Sequence, residues 1–290
     1  MVEPAARREM VTYVVKTYEV SVQRSCGLIQ ITRSSYYYAP HPRDDSAERA
    51  ALREAANHRR KWGYRFLMAI LIREGFFMNH KKVERLYKEE GLQLHKRQKK
   101  KTQKWRGEKP VSASAANELW SMDFVHDRLV NGRKIRALNI VDTYTRECLW
   151  IEVGYSMSGQ RVTEVLDFML HVRGKPKVII TDNGSEFAGR ALDKWAYEHK
   201  VHLHFIDPGK PVQNAYVESF NGKFRKECLN DHWFQTLLQA QDTIHAWRED
   251  YNTVRPHSSL GYKTPAEFAA QTNPLGIPRG LVDQDLVMAQ

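Results

Sequence analysis

Three acids, Asp123, Asp182 and Glu218, stand where the local sequence pattern brings carboxylates together. Asp123 lies inside an apolar, strand-like run, Asp182 directly follows another, and Glu218 falls in a helical pattern. Side chains near strand ends of an open sheet face the crevice where ligands bind, so the two aspartates are expected to meet there and the glutamate to reach them from its helix. That helix is suited to the task. Asn214, Glu218, Asn221 and Arg225 recur at helical spacing as one polar stripe, with Val217, Phe220 and Phe224 as the adjacent apolar stripe. Converging carboxylates repel one another strongly unless cations neutralise them, so the group implies a metal. All-oxygen donors select Mg²⁺ or Mn²⁺. Two such ions about 3.5 to 4 Å apart can activate a nucleophile and stabilise the leaving oxygen of a phosphodiester, which is chemistry for nucleic acid. Asp142, at the end of the second strand-like run, is the rival ligand, and Glu186 reads as a cap for the helix that follows it.

The elements that would position these acids are readable from periodicity. Residues 119–125, 134–141 and 148–153 suit strands, and Asn131-Gly132 between the first two is a hairpin turn signal. Helix and strand then alternate: helix over 162–172, strand over 177–180, helix over 188–199, strand over 201–206, then long helices over 213–229 and 234–251. Three antiparallel strands followed by alternating helix and parallel strand predict an α/β fold, a mixed sheet covered by helices on both faces. Asn183 and Gly184 would form the turn that directs Asp182 inward.

Upstream the pattern is wholly helical. Met10, Val14 and Tyr18 recur every fourth residue, and residues 21–38 hold two short amphipathic runs parted around Gly27 with Thr32 as a cap, a pattern that resembles a helix-turn-helix. A second cluster covers 47–91, with Gly63 opening a helix, Gly75 closing it, Asn79 capping the next and Gly91 ending that one. The predicted organisation is a helical 1–45, a small helical DNA-binding-type module at 46–94, a linker at 95–115, a catalytic core at 116–275 and a tail at 276–290.

Charge separates these parts. The 290 residues include 45 Lys and Arg against 34 Asp and Glu, a net charge of +11. Between 96 and 109, Lys96, Arg97, Lys99, Lys100, Lys101, Lys104, Arg106 and Lys109 face the single acid Glu108. A run so charged cannot form a core; it is expected to be an extended tether that lies along DNA, or else a solvated spacer. A hydrophobic fraction of 42% excludes a disordered chain, and apolar stretches such as 66–72 are too short for a membrane span. Cys26, Cys148 and Cys228 form no framework for disulfides or zinc.

The ordered motifs carry a resemblance. Thirty-five residues separate Asp182 from Glu218, and the flanking words are Asn117-Glu118-Leu119-Trp120-Ser121-Met122-Asp123, Thr181-Asp182-Asn183-Gly184-Ser185-Glu186-Phe187, Pro208-Gly209-Lys210-Pro211-Val212-Gln213-Asn214-Ala215-Tyr216-Val217-Glu218-Ser219-Phe220-Asn221, and Arg255-Pro256-His257. The chain resembles the integrase-core transposases and retroviral-type integrases, in particular the second-frame product of insertion sequences of the insertion-sequence-three family. The likeness spans nearly the whole chain, including the helical module around Gly63-Tyr64 and 81–91.

The resemblance implies a ribonuclease H-like five-stranded core and a DNA transposase that performs 3′-end cleavage and strand transfer. It makes Asp123, Asp182 and Glu218 the ligands of Mg²⁺ or Mn²⁺, in a pair, with Asp123 bridging. Arg225 holds the family's basic position beside the metal site, as a DNA contact or as a helix-surface partner of Glu227 or Asp231. Lys210, Asn214, Asn221 and the basic residues Lys96, Arg97, Lys99, Lys100, Lys101 and Lys104 are further expected DNA contacts, with an ordinary exposed lysine as the alternative for Lys210 and a helix N-cap as that for Asn214. His257 is expected to be structural, with a DNA contact as the alternative. The implied partners are insertion-sequence ends and target DNA, other copies of the chain in a synaptic homo-oligomer, and a first-frame product; the implied location is the bacterial cytoplasm, at the nucleoid. A nuclease of the same fold and a non-cleaving DNA-binding accessory protein are the alternatives. The zinc module of retroviral integrases is not expected, because Cys26 with His41, His58, His80 and His95 lacks its spacing.

Overall fold

A computed structural model describes residues 4–39, 44–94, 113–184, 186–187, 189–207 and 211–272, apart from the side chains of residues 211 and 212. The chain divides into two compact units, Met1–Ala50 and Ala51–Gln290.

The first unit holds α1 (Pro4–Tyr18), α2 (Val22–Ile29) and α3 (Arg33–Tyr36). Ser21 caps α2 by accepting the Arg24 N–H, and Thr32 caps α3 by accepting that of Ser35. Two expectations are corrected. Gly27 does not part the helices: α2 runs through it and ends at Gln30, whose φ of 55° is left-handed. The packed position of α1 is Val11, fully buried, while Met10 and Tyr18 of the expected stripe are 48% and 65% exposed.

In the second unit the greater part of α4 (Ser46–His58), with α5 (Tyr64–Arg73) and α6 (His80–Glu89), surrounds Leu52, Trp62, Leu67, Leu71, Val83 and Leu86. Asn79 caps α6, and Gly75 and Gly91 follow α5 and α6 with positive φ, a conformation that strains residues carrying a Cβ. This module is fastened to the remainder of the unit by polar contacts. Arg59 forks onto Asp250 at 2.9 and 2.5 Å, Lys61 bonds Asp231, the Trp62 indole donates to Glu227 at 3.4 Å, and Arg73 reaches Glu267 at 2.8 Å.

The rest of the unit is built on one sheet, β1 (Leu119–Arg128), β2 (Lys134–Asp142), β3 (Cys148–Gly154), β4 (Val178–Thr181) and β5 (His202–Phe205), in the order β3-β2-β1-β4-β5. Strands β1, β2 and β3 pair antiparallel, and β4 joins β1 and β5 in parallel. Gly132 takes up a φ of +83° in the turn between β1 and β2, where Asn131 accepts the Arg133 N–H. One face packs Val125, Ala137, Val141 and Ile151 against Val217, Phe220 and Phe224 of α9 (Ala215–Glu227) and Ile244 and Tyr251 of α10 (Leu237–Thr253). The other packs Trp120, Met122, Ile140 and Ile179 against α7 (Gly159–Arg173) and α8 (Arg190–His199). This is the mixed five-stranded, ribonuclease H-like arrangement expected. A short helix, α11 (Pro265–Thr272), was not anticipated. Among the described residues no helix is long and apolar enough to cross a membrane.

Candidate active site

Strand β1 is where the sheet changes from antiparallel to parallel, and at such a switch point loops diverge and leave a crevice. The ladder of β1 with β4 ends at Ser121–Ile180, so Asp123 lies just beyond it while Asp182 directly follows the last residue of β4. Asn183 ties its loop down by donating to the Ile206 carbonyl, and Gly184 turns back to donate its N–H to Asp182 Oδ1 at 3.0 Å. A Cβ at Gly184 would sit 3.0 Å from that same oxygen. The expected inward turn is therefore present, and glycine is what it accommodates.

Glu218 arrives on α9, whose start is tethered to β1 by Asn214. The Asn214 side chain is 2% exposed and its amide donates to the Met122 carbonyl at 3.2 Å. Asn214 was expected at DNA; its burial corrects that, making it a strut between helix and strand, and it forms no side-chain cap. Asn221 likewise has both ends of its amide engaged inside the protein. It donates to Asp123 Oδ2 at 2.7 Å and accepts from Asn139 at 2.7 Å.

The electrostatics couple the three acids. The Asp123 carboxyl is pushed up to about 6, first by burial and then by the negative charges of Asp182 and Glu218, against hydrogen bonds from the Phe124 N–H and Asn221 that favour its ionised form. Partial burial nudges Glu218 upward. Among the described residues no ion pair involves any of the three. Nor, among the described residues, are three acidic, histidine or cysteine side chains gathered tightly enough to bind one ion as they stand. Glu218 is exposed, and like charges keep apart on their own.

Around them lie groups able to meet a polyanion. Arg225 is exposed and gives one guanidinium nitrogen to the His126 carbonyl at 2.8 Å. The salt-bridge alternatives do not occur, because Glu227 pairs with Arg255 and Asp231 with Lys61. Arg136 on β2 bonds Glu186 and lies 4.4 Å over the Phe124 ring, which stacks on Phe187 at 4.8 Å. Glu186 thus ties its loop to the sheet; α8 is capped by Gly189 with no side-chain bond. Asp142 drops out as a rival ligand. It is 1% exposed, and its oxygens accept the N–H groups of Asn117, Tyr144 and Thr145. His257 is 4% exposed with its ring edge-on to Tyr251 at 4.8 Å, a packed histidine. The expected contacts at Lys96, Arg97, Lys99, Lys100, Lys101, Lys104 and Lys210 lie outside the described residues.

Two residues that matter to this geometry, Asn139 and Arg136, were not singled out from the sequence. The available signal was composition, since Asn139 interrupts an apolar run; that it pairs with Asp123 is visible only in the sheet.

Comparisons with known proteins agree with this architecture. Models of the integrase core domain match residues 113–211 and 199–265, and a helix-turn-helix-like domain model matches 42–101, the second helical cluster. The chain is 48% identical over 253 residues to a 31.7 kDa protein of insertion element IS407 from Burkholderia multivorans, covering 87% of this chain and 91% of that one. It is 44% identical over 268 residues to a 39.2 kDa protein of insertion element IS476 from Xanthomonas euvesicatoria, covering 92% and 78%. Among solved structures, the simian T-cell lymphotropic virus intasome contains a chain with the same fold, at a TM-score of 0.52 and 16% identity over 81% of this chain and 80% of that one.

Proposed function

Since the chain belongs to the integrase-core transposases of bacterial insertion elements, of the insertion-sequence-three family, we propose that Asp123, Asp182 and Glu218 are its catalytic residues. They would hold Mg²⁺ or Mn²⁺, as a pair of ions, for cleavage and joining of DNA. The observation that carries this reading is the Asp123 carboxyl, raised by burial and by the two other acids while no basic side chain among the described residues pairs with any of them. Hard carboxylate oxygens in that condition suit a small divalent cation. Bound there, such ions would supply Lewis acidity and charge neutralisation at the reacting phosphate.

The chain's own residues do the rest. The Phe124 N–H and Asn221 orient Asp123, the Gly184 N–H orients Asp182, and Asn214 holds the start of α9 against β1. In the first step a water oxygen bonds to the scissile phosphorus, the bond to the 3′ oxygen breaks, and that oxygen leaves as a 3′-hydroxyl. In the second step the hydroxyl attacks a target phosphorus and displaces another 3′ oxygen, so one phosphodiester forms for each broken. Arg225, Lys210 and the basic residues Lys96, Arg97, Lys99, Lys100, Lys101 and Lys104 would hold backbone phosphates. The helical modules at 1–45 and 46–94, the linker at 95–115 and the core at 116–275 divide this work. Chemistry at two element ends requires a synaptic homo-oligomer, an assembly of the kind named for the viral neighbour, with a first-frame product as a further partner at the nucleoid.

Labelled insertion-element ends incubated with the protein and Mg²⁺, with and without the first-frame product, test this reading. Nicking at 3′ ends plus joined products is the expected result. Nicking alone would make the protein a nuclease, and a metal-independent gel shift without nicking would make it a binding accessory.

A further inference from the structure

We propose that Asn139 is a positioning residue for Asp123 that acts through Asn221, a role resting on the reading of Asp123 as a ligand for a divalent ion. Asn139 is directly opposite Asp123 in the β1–β2 register, and its side chain shares the sheet face occupied by Ile135, Ala137 and Val141. The other residues of β2 on that face are apolar, and Asn139 is 0% exposed. A buried amide there is costly unless hydrogen-bonded, and its Oδ1 has no partner. What the side chain does make is one bond, from Nδ2 to Asn221 Oδ1 at 2.7 Å, and Asn221 in turn donates from Nδ2 to Asp123 Oδ2 at 2.7 Å.

The chemistry of the chain runs one way. A carboxylate only accepts, so Asn221 must present its NH₂ to Asp123, and its oxygen then points to the one donor that meets it, Asn139. Asp123 thus sets the sense of the Asn221 amide, and Asn139 holds it in place. With Oδ2 held by Asn221 and Oδ1 by the Phe124 N–H, each Asp123 oxygen keeps a further lone pair for a cation, aimed by groups on β1, β2 and α9 together. Partners of this kind commonly change metal affinity by about 10- to 100-fold when removed.

Mn²⁺ binding to the full chain without DNA, followed by the loss of free-ion paramagnetic resonance signal, tests this independently of catalysis. Asp123→Asn should weaken binding strongly. Asn139→Leu, close in size and without a donor, should weaken it about 10-fold while the urea midpoint stays the same or rises. Asn221→Leu should cost at least as much, and the combined variant no more than Asn221→Leu alone, because one path is being cut twice. Wild-type Mn²⁺ affinity in Asn139→Leu alongside weakened binding in Asn221→Leu and Asp123→Asn overturns the role of Asn139 and leaves the site intact. Unchanged binding in Asp123→Asn removes the site itself and this inference with it. If the leucine variant does not fold, Asn139→Ala carries the same comparison. In either variant, an Asn221 side-chain amide resonance identical to wild type also overturns the proposal.

Discussion

Asp182 and Arg225 carry opposite charges, and under the proposed function their substitutions are expected to have opposite effects on DNA. Asp182→Asn removes a negative charge near phosphate; Mg²⁺-dependent nicking of labelled ends should disappear while affinity in a gel shift stays equal or increases. Full cleavage by that variant would take Asp182 out of the site. Arg225→Ala should weaken binding to all sequences alike and lower the salt slope of binding by about 1, since an exposed guanidinium on a phosphate carries little base information. At this scale the sequence proposes the acids and the basic position, because their types and spacing are themselves the signal. The roles of Asn214 and Asn221 were not legible. An asparagine on a polar stripe reads equally as a DNA contact or an internal strut, and only the proximity of Met122, Asp123 and Asn139 made them struts.

Helix α9 does two jobs, packing one edge and presenting Glu218 from the next, so its packing and the site are linked. Phe220 is 1% exposed, with Phe224, Trp247 and Tyr251 at ring distances of 6.1, 5.7 and 5.0 Å. Phe220→Ala should lower stability by about 3 to 5 kcal/mol in urea unfolding, the range for emptying a buried aromatic site. The segment after α10 adds a pH dependence. His257 is pushed down from 6.5 to about 3 by burial, with the charges of Arg255 and Lys223 adding to it. Its folded state therefore binds a proton less readily than the unfolded chain. The stability this confers is complete above about pH 6.5 and is lost as pH falls from there toward 3, by an amount on the order of a few kcal/mol. His257→Gln should flatten the urea midpoint between pH 6.5 and 4; an equally steep fall would assign acid lability to other groups. Most element positions followed from periodicity, since alternation and helical repeats record which side faces a core. The helix through Gly27 and the packing of Val11 did not, because two nearby periodic readings of a short segment differ only in which neighbour is present.

Across the second unit, the helix-turn-helix-like module and the sheet are joined at α9, at the turn that follows it and at α10 by Trp62–Glu227, Lys61–Asp231 and Arg59–Asp250. Glu227 ends the helix that carries Glu218, and it also pairs with Arg255 at 2.7 Å, so the junction braces that helix. A double-mutant cycle on Arg59→Ala and Asp250→Ala should give a coupling of about 1 kcal/mol in urea unfolding, because the pair is bidentate but partly exposed. Strictly additive losses would leave the module held by its remaining contacts alone. The amino-acid sequence by itself determined the family, the alternation of strand and helix, and the acidic trio with its spacing, because each is written in residue order and period. Tertiary structure alone decided that Asp142 is consumed by backbone N–H groups, that Glu186 is tied to Arg136, and that Asn139 reaches Asp123 through Asn221. Apart from the local bonds of Tyr144 and Thr145 to Asp142, those contacts join residues 25 to 98 positions apart along the chain. Such contacts depend on strand register and on which helix covers which face, quantities that no local window of sequence contains.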